Sequence, residues 1–283
     1  MTSRSDRFVS SNRRPGPGDF GTPIKAVVLD WAGTTVDFGS CAPAATFVEA
    51  FARHGAAVTL TEARAPMGMA KRAHIAAIAA AVGVAESWHR AHGRGFVETD
   101  IDAIYATFLP LQEACIDRFS TVIPGAVETA AELRSCGIRI GSSTGYTREI
   151  MARVMRSAKE QGFEVEEMLC SSDFAQGRPW PWMIFENMRR LEVFPPAAVV
   201  TVDDTLVGIE AARNAGTWAV GIAATGNLVG LGRDEFESLP DRERVERVEA
   251  ARAALIEAGA DYVVDSIGDL PAVLDDIKYA IPF

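Results

Sequence analysis

Four short stretches of this chain carry residue types suited to chemistry at a phosphorus centre. Asp30 closes the apolar run "IKAVVLD" and is followed by "WAGTT". Ser143-Thr144-Gly145 closes "IRIGSSTG", Arg178 stands in the loop Gly177-Arg178-Pro179, and Asp203 and Asp204 close "AVVTVDD". A carboxylate can attack phosphorus and leave as part of an acyl phosphate. A hydroxyl and backbone N–H groups can hold phosphoryl oxygens, and a cation can neutralise the charge that builds up in transfer. Hard oxygen ligands can hold magnesium. A lone Asp at a strand end is commonly a turn or cap residue; four such groups in fixed order after successive strands are hard to assign to capping.

The elements that must position these groups read clearly. The run 24–30 is short, apolar and β-branched, as expected of a buried strand. From about 41 to 118 the pattern is helical throughout: Ala45, Val48 and Phe51 recur at helical spacing, Thr59-Leu60-Thr61-Glu62 forms a capping box, an Ala-rich helix spans 67–82, and another starts at Thr99. From Pro124 strands and helices alternate. Strands are expected near 138–144, 169–172, 199–204, 218–222 and 261–265, with helices at 126–136, 147–161, 180–191, 206–214, 233–258 and 267–278. This alternation implies an α/β fold with a parallel sheet covered on both faces. In such sheets ligands bind outside the carboxyl ends of the strands, where all four groups fall. The helical block follows the first strand and is an insertion. The expected division is a flexible tail over 1–22, a core domain over 23–40 and 119–283, and a helical cap over 41–118.

Composition bounds the rest. The chain has 283 residues, 48% hydrophobic and 23% charged, enough for a core domain plus a smaller one. Its formal net charge is −10, which argues against nucleic acid or an anionic membrane as the main partner. No apolar run approaches a membrane span. The four cysteines, at 41, 115, 136 and 170, form no C-x-x-C pair, so they read as thiols in a reducing cytoplasm.

Within the insertion, "PMGMAKRAH" places Met67, Lys71 and His74 at i, i+4 and i+7, on one face of the expected helix. By spacing alone an ordinary surface helix is the simpler account of these residues. His89 and His92, at i and i+3, lack a supporting acid or Cys and read as a solvated face. Trp180 and Trp182 read as packing or cap-contact residues, and the run 233–252 as an exposed charged face.

The four strand-end groups, in their order, resemble the haloacid dehalogenase superfamily: a Rossmannoid parallel-sheet core with an inserted all-helical cap. The combination of "DWAGTT", "PMG" followed by Lys and His, "STGYTRE" and "GRPWPWM" resembles, more narrowly, its phosphonoacetaldehyde hydrolase (phosphonatase) family, from about residue 24 to the end of the chain. The resemblance implies that Asp30 is the nucleophile and that Asp30, the backbone carbonyl of Ala32 and Asp204 hold Mg2+. It implies that Thr144, Gly145 and Arg178 hold the phosphoryl oxygens. Lys71 is expected to form a Schiff base with a small phosphonate aldehyde, with Met67, His74 and Tyr146 near it. A homodimer paired through the cap is expected on the same ground.

Two departures from the superfamily pattern bear on the chemistry. Phosphatases of this type usually have a second Asp two residues after the nucleophile, to protonate an alkoxide; here that residue is Ala32. Cleaving a C–P bond through a lysine imine needs no such acid, because the electrons flow into the imine. A sugar-phosphate phosphatase or mutase would need an acid at 32, and a non-catalytic relative would be expected to lose Asp30 or Asp204. The second departure is Gly208, where many members carry a further metal-site Asp. Asp203 or a water could substitute, and the residues alone do not choose between them. Finally, Lys71 must be neutral to attack an aldehyde. At an ordinary pKa only about one molecule in a thousand would be neutral near pH 7.4, so the reading requires burial under a closed cap.

Overall fold

The computed structural model describes residues 23–279; the expected tail over 1–22 lies outside them. Six strands form one parallel sheet: β1 (Ala26–Leu29), β2 (Arg139–Thr144), β3 (Glu167–Cys170), β4 (Val199–Asp203), β5 (Trp218–Ile222) and β6 (Tyr262–Val264), in the order β3-β2-β1-β4-β5-β6. The chain runs outward from β1 to β3 on one side, then returns to lay β4 against the other side of β1. The topological switch point, where an open α/β sheet leaves a crevice for ligands, therefore falls between β1 and β4.

The strands read as continuous apolar runs because both faces are covered. Successive side chains point to opposite faces. Val27, Leu29, Ile140, Val200, Val202, Val220 and Ile222 enter one core cluster. It packs against helices α6 (Ala126–Ser135), α7 (Arg148–Glu160) and α12 (Leu270–Tyr279). Ala26, Val28 and Val199 face the other way, onto α8 (Trp182–Arg190) and α9 (Leu206–Ala215). Ala219 and Val263 share that face with α9 and the long helix α11 (Asp241–Ala258).

Between β1 and α6 the chain forms five α-helices: α1 (Cys41–Arg53), α2 (Leu60–Arg64), α3 (Lys71–Ala80), α4 (Val82–His92) and α5 (Glu98–Cys115). They enclose a separate core of Phe47, Phe51, Ile75, Ile78, Trp88, Ile104 and Phe108. This is the helical cap inserted into the α/β core. The capping box at its second helix forms, with Thr59 accepting from the Glu62 N–H.

Two sequence expectations are corrected. The helix expected over 67–82 starts only at Lys71. Pro66 and Gly68, the latter at φ +94°, hold 65–70 in a loop. Met67 is therefore not on one helical face with Lys71 and His74. The single helix expected over 233–258 is two, α10 (Arg233–Glu237) and α11, separated at Ser238-Leu239-Pro240. Pro240 directly precedes α11, where its missing N–H costs nothing, but it cannot continue a helix arriving from Arg233.

Candidate active site

The register of the three central strands brings the candidate residues to one place. Leu29 is level with Ser142 on β2 and with Val202 on β4, so Asp30, Ser143 and Asp203 follow at neighbouring strand ends. The Asp30 N–H still donates to the Val202 carbonyl, at 2.9 Å. Beyond it the chain turns sharply, and Thr35 Oγ donates back to the Asp30 and Trp31 carbonyls (3.0 and 3.2 Å). The turn passes so close to the acid pair that a Cβ on Gly33, at φ +86°, would lie 2.1 Å from Asp204 Oδ2. Asp204 itself is held by Thr34 Oγ at 3.3 Å and by the Asn227 N–H at 2.7 Å.

Arg178 lies across this group, buried. Its Nη1 is 2.7 Å from Asp30 Oδ1 and 3.1 Å from Asp203 Oδ2. Its Nη2 donates to the Ser143 carbonyl and hydroxyl (2.7 and 2.8 Å). Thr144 Oγ accepts from the Tyr146 N–H at 3.1 Å, shaping the loop around Gly145. Burial pushes the Asp30 carboxyl up to about 7, against the pull of Arg178. Burial and the Asp30 and Asp203 charges push Asp204 well up, opposed by the Asn227 N–H.

Asp30, Asp203 and Asp204 offer carboxylate oxygens all within 4.8 Å of one another, and all three are buried. Concentrating that much negative charge away from water is costly unless cations balance it. Arg178 supplies one charge. A divalent cation would supply the rest, and would hold the carboxylates ionised against the desolvation that now raises them. Ala32 lines the same cavity as Asp30. The oxygen-only donor set fits a hard divalent ion.

The cap closes the site from above. Asp30, Ala32, Ser40, Pro43, Met67, Gly68, Lys71, Thr144, Gly145, Tyr146, Arg178 and Thr205 line one small cavity. Lys71 is 4% exposed, and its Nζ faces two rings, 4.7 Å from the Tyr146 centroid and 5.5 Å from that of Phe47. Among the described residues no carboxylate lies within ion-pair distance of it. Burial pulls its pKa from 10.5 down to about 7, with Asp30 opposing and Arg178 assisting.

Met67, though off the helix, lines the cavity beside Lys71. His74 does not. It is fully buried in the cap core, its ring 3.9 Å from that of Phe47. The Ala63 carbonyl can only accept, so the 2.8 Å contact makes His74 Nε2 the donor and leaves Nδ1 unprotonated and without a partner. Burial, reinforced by the Lys71 charge, pulls His74 down to about 3, so its ring stays neutral at physiological pH.

Gly208 packs directly against Asp203. A Cβ built there would lie 1.9 Å from Asp203 Cγ. The Asp203 carboxylate occupies the space into which a side chain at 208 would project, tied down by the Thr205 N–H and hydroxyl (2.9 and 2.7 Å). Sequence reasoning missed Ser143 as the anchor of Arg178, Thr34 and Asn227 as donors to Asp204, and Ser40, Pro43 and Thr205 in the cavity wall. Asn227 follows the carboxyl end of β5, so the strand-end rule that found the four groups extends to it. Elsewhere, His92 stacks on Trp88 and reaches the His54 carbonyl at 2.9 Å, His89 is exposed, and Trp180 and Trp182 stack on each other at the surface. All four cysteines are free, and among the described residues no helix is long and apolar enough to cross a membrane.

Comparison with known proteins agrees with this geometry. Residues 24–216 match the family model described as haloacid dehalogenase-like hydrolase. A phosphonoacetaldehyde hydrolase of Paraburkholderia phytofirmans is 48% identical over 255 residues, 90% of this chain and 96% of that protein. One of Salmonella newport is 45% identical over 257 residues, with the same coverage of 90% and 96%. A crystal structure of a phosphonoacetaldehyde hydrolase-like protein from Oleispira antarctica superposes with a TM-score of 0.91 at 38% identity, covering 95% of this chain and 98% of that one.

Proposed function

The chain belongs to the phosphonoacetaldehyde hydrolase family of the haloacid dehalogenase-like hydrolases, and on that premise we propose that it hydrolyses the C–P bond of phosphonoacetaldehyde to acetaldehyde and phosphate. The observation that carries this reading is Lys71, buried without a carboxylate partner in the same cavity as Asp30. A phosphate ester needs no such amine; an aldehyde does.

In this reading Lys71, a substantial fraction of which is neutral near pH 7, adds to the aldehyde carbonyl. Loss of water leaves a protonated imine two atoms from phosphorus. Asp30 then attacks phosphorus. The C–P electron pair flows toward the imine nitrogen to give an enamine, and the phosphoryl group stays on Asp30 as an acyl phosphate. Direct cleavage would expel a carbanion; the imine removes that obstacle and leaves no alkoxide to protonate, in keeping with Ala32. Arg178, aimed by Ser143, balances the phosphoryl charge. The Thr144 hydroxyl and the backbone N–H groups around Gly145 take the remaining phosphoryl oxygens. Protonation of the enamine carbon and hydrolysis of the imine release acetaldehyde, and water cleaves the aspartyl phosphate. His74, outside the cavity and held neutral in the cap core, has no direct path to the substrate and packs behind Lys71 instead, and Met67 keeps the amine's surroundings apolar.

The metal in this reading is Mg2+, held by Asp30, Asp204 and the Ala32 carbonyl. When bound it supplies charge neutralisation and alignment for the phosphoryl group. Asp203 acts beside it by bracing Arg178. Family membership also carries the proposal of a homodimer, which sedimentation equilibrium reads directly.

Borohydride reduction with phosphonoacetaldehyde tests the proposal. The peptide containing Lys71 should gain a two-carbon-derived mass in wild type. In Lys71→Arg, whose guanidinium stays protonated, there should be none. Near wild-type phosphate release by Lys71→Arg would overturn the Schiff-base step and favour an ordinary phosphatase.

A further inference from the structure

We infer that Arg64 is a positioning residue that latches the cap over the catalytic cavity and, through Asn227, ties that closure to the Asp204 carboxylate; its consequence for turnover rests on the function proposed above.

Arg64 ends α2, three residues before Met67 and seven before Lys71. Its guanidinium leaves the cap and spans two segments of the core. Nη1 donates to the Gly39 carbonyl at 2.9 Å, the Ser40 carbonyl at 3.2 Å and Asn227 Oδ1 at 3.0 Å. Nη2 donates to the Gly230 carbonyl at 2.8 Å. Gly39 and Ser40 belong to the connection from β1 into the cap; Asn227 and Gly230 lie in the loop after β5. Among the described residues no carboxylate lies within ion-pair distance of Arg64. A guanidinium spread over neutral acceptors from separate segments acts as a geometric clamp, because its rigid fork fixes the relative positions of all of them.

The core is shaped to receive it. Gly230 stands at φ +67°, and a Cβ there would lie 2.8 Å from both Arg64 Cζ and Nε. Asn227 is 3% exposed and grips the cap in return, its Nδ2 reaching the Arg64 carbonyl at 3.3 Å. The same residue's backbone N–H donates to Asp204 Oδ2 at 2.7 Å. One residue therefore touches the cap through its side chain and the acid pair through its backbone. The loop leaving Arg64 is the one that carries Met67 into the cavity and delivers Lys71. Releasing the clamp frees that loop and the Asn227 N–H together.

The test uses full-length Arg64→Ala, Arg64→Lys, Asn227→Ala and the Arg64→Ala/Asn227→Ala double variant, each checked by circular dichroism and melting. Acetic anhydride labelling of Lys71, read by peptide mass spectrometry, should run about tenfold faster in Arg64→Ala as the closed state loses population. Magnesium affinity by calorimetry should weaken about threefold or more, although Arg64 touches no acid of the cluster. kcat/KM for phosphonoacetaldehyde should fall about 10²-fold, and the double variant should be no worse than the poorer single one. Arg64→Lys, which keeps the charge but cannot span the acceptors, should fall in between, and it carries the same comparisons if Arg64→Ala does not fold. Unchanged Lys71 labelling in a folded variant overturns the latch. Faster labelling with unchanged magnesium affinity overturns the tie to Asp204, and additive losses in the double variant overturn the pairing of Arg64 with Asn227. An inactive wild type would sink the proposed function and leave the labelling comparison readable.

Discussion

Gly208 and Asp203 share one space: a Cβ on the first would stand 1.9 Å from Cγ of the second. The Asp203 carboxylate reaches toward Arg178 from the end of β4 and leaves no room for a side chain from the first turn of α9. Only one of the two positions can carry an acid. Gly208→Asp alone should therefore cost stability, roughly 1–3 kcal/mol as overpacking, and on the order of 10-fold or more in kcat/KM as Arg178 is displaced. Asp203→Gly/Gly208→Asp should recover much of both. Thermal melts and steady-state kinetics on wild type, Gly208→Asp, Asp203→Gly and the double variant read this, and a double variant worse than Gly208→Asp would show that the two positions do not substitute for each other.

Asp30→Asn keeps the volume and removes the nucleophile. Arg178 would lose one of its two buried carboxylate partners but keep Asp203 and Ser143, so the fold should survive. Phosphate release should drop on the order of 10³-fold or more. A folded Asp30→Asn protein retaining a tenth of wild-type turnover would rule out the acyl-phosphate route.

Chelation should abolish activity, and Mg2+ should restore it. Trp31, next to Asp30 and buried, gives a second readout: its fluorescence should respond to Mg2+ titration in wild type and respond weakly, or only at much higher Mg2+, in Asp204→Asn. Full activity in protein shown metal-free by elemental analysis would contradict the assignment.

The Lys71 amine is held near 7 instead of 10.5, chiefly by burial. For activity, the neutral amine is the reactive form, so kcat/KM should rise with pH through about 7; ionisation of Asp30, also pushed up by burial, acts in the same direction. His74, pulled down to about 3, adds no limb in this range. For stability, the unfolded chain binds more protons than the folded one between about 7 and 10.5, so the penalty for burying Lys71 is full below 7 and fades as pH rises. Lys71→Met should thus be inactive yet more stable at pH 7, by at most about 4 kcal/mol and a few degrees in Tm. The gap should narrow toward pH 10. A gap that does not change with pH would mean that Lys71 is not held neutral by the fold.

The strand ends and their chemistry were legible from sequence because each rests on local information. An apolar run long enough for one buried strand, an acid or hydroxyl at its end and a turn after it are all contiguous, and the alternation of strands with helices dictates a parallel sheet. The missing acid at Ala32 and the role of the lysine in the insertion were legible only through the family resemblance, because spacing alone does not set Lys71 apart from an ordinary surface helix. Helix breaks were partly legible: Pro240, Pro66 and Gly68 were visible, but periodicity on both sides outweighed them until packing put Met67 and Gly68 into the cavity wall. What tertiary structure alone decided is everything set by neighbours remote in the chain. Lys71 is drawn toward neutrality because the folded cap and core bury it, and His74 is withdrawn from the cavity because the Ala63 carbonyl and Phe47 hold it in the cap core. Gly208 is bare because Asp203, five residues earlier and on another element, turns into its space. The contact of Arg64 with Asn227 joins positions 163 residues apart, and no spacing within either segment points to the other; only folding the cap onto the sheet brings them together.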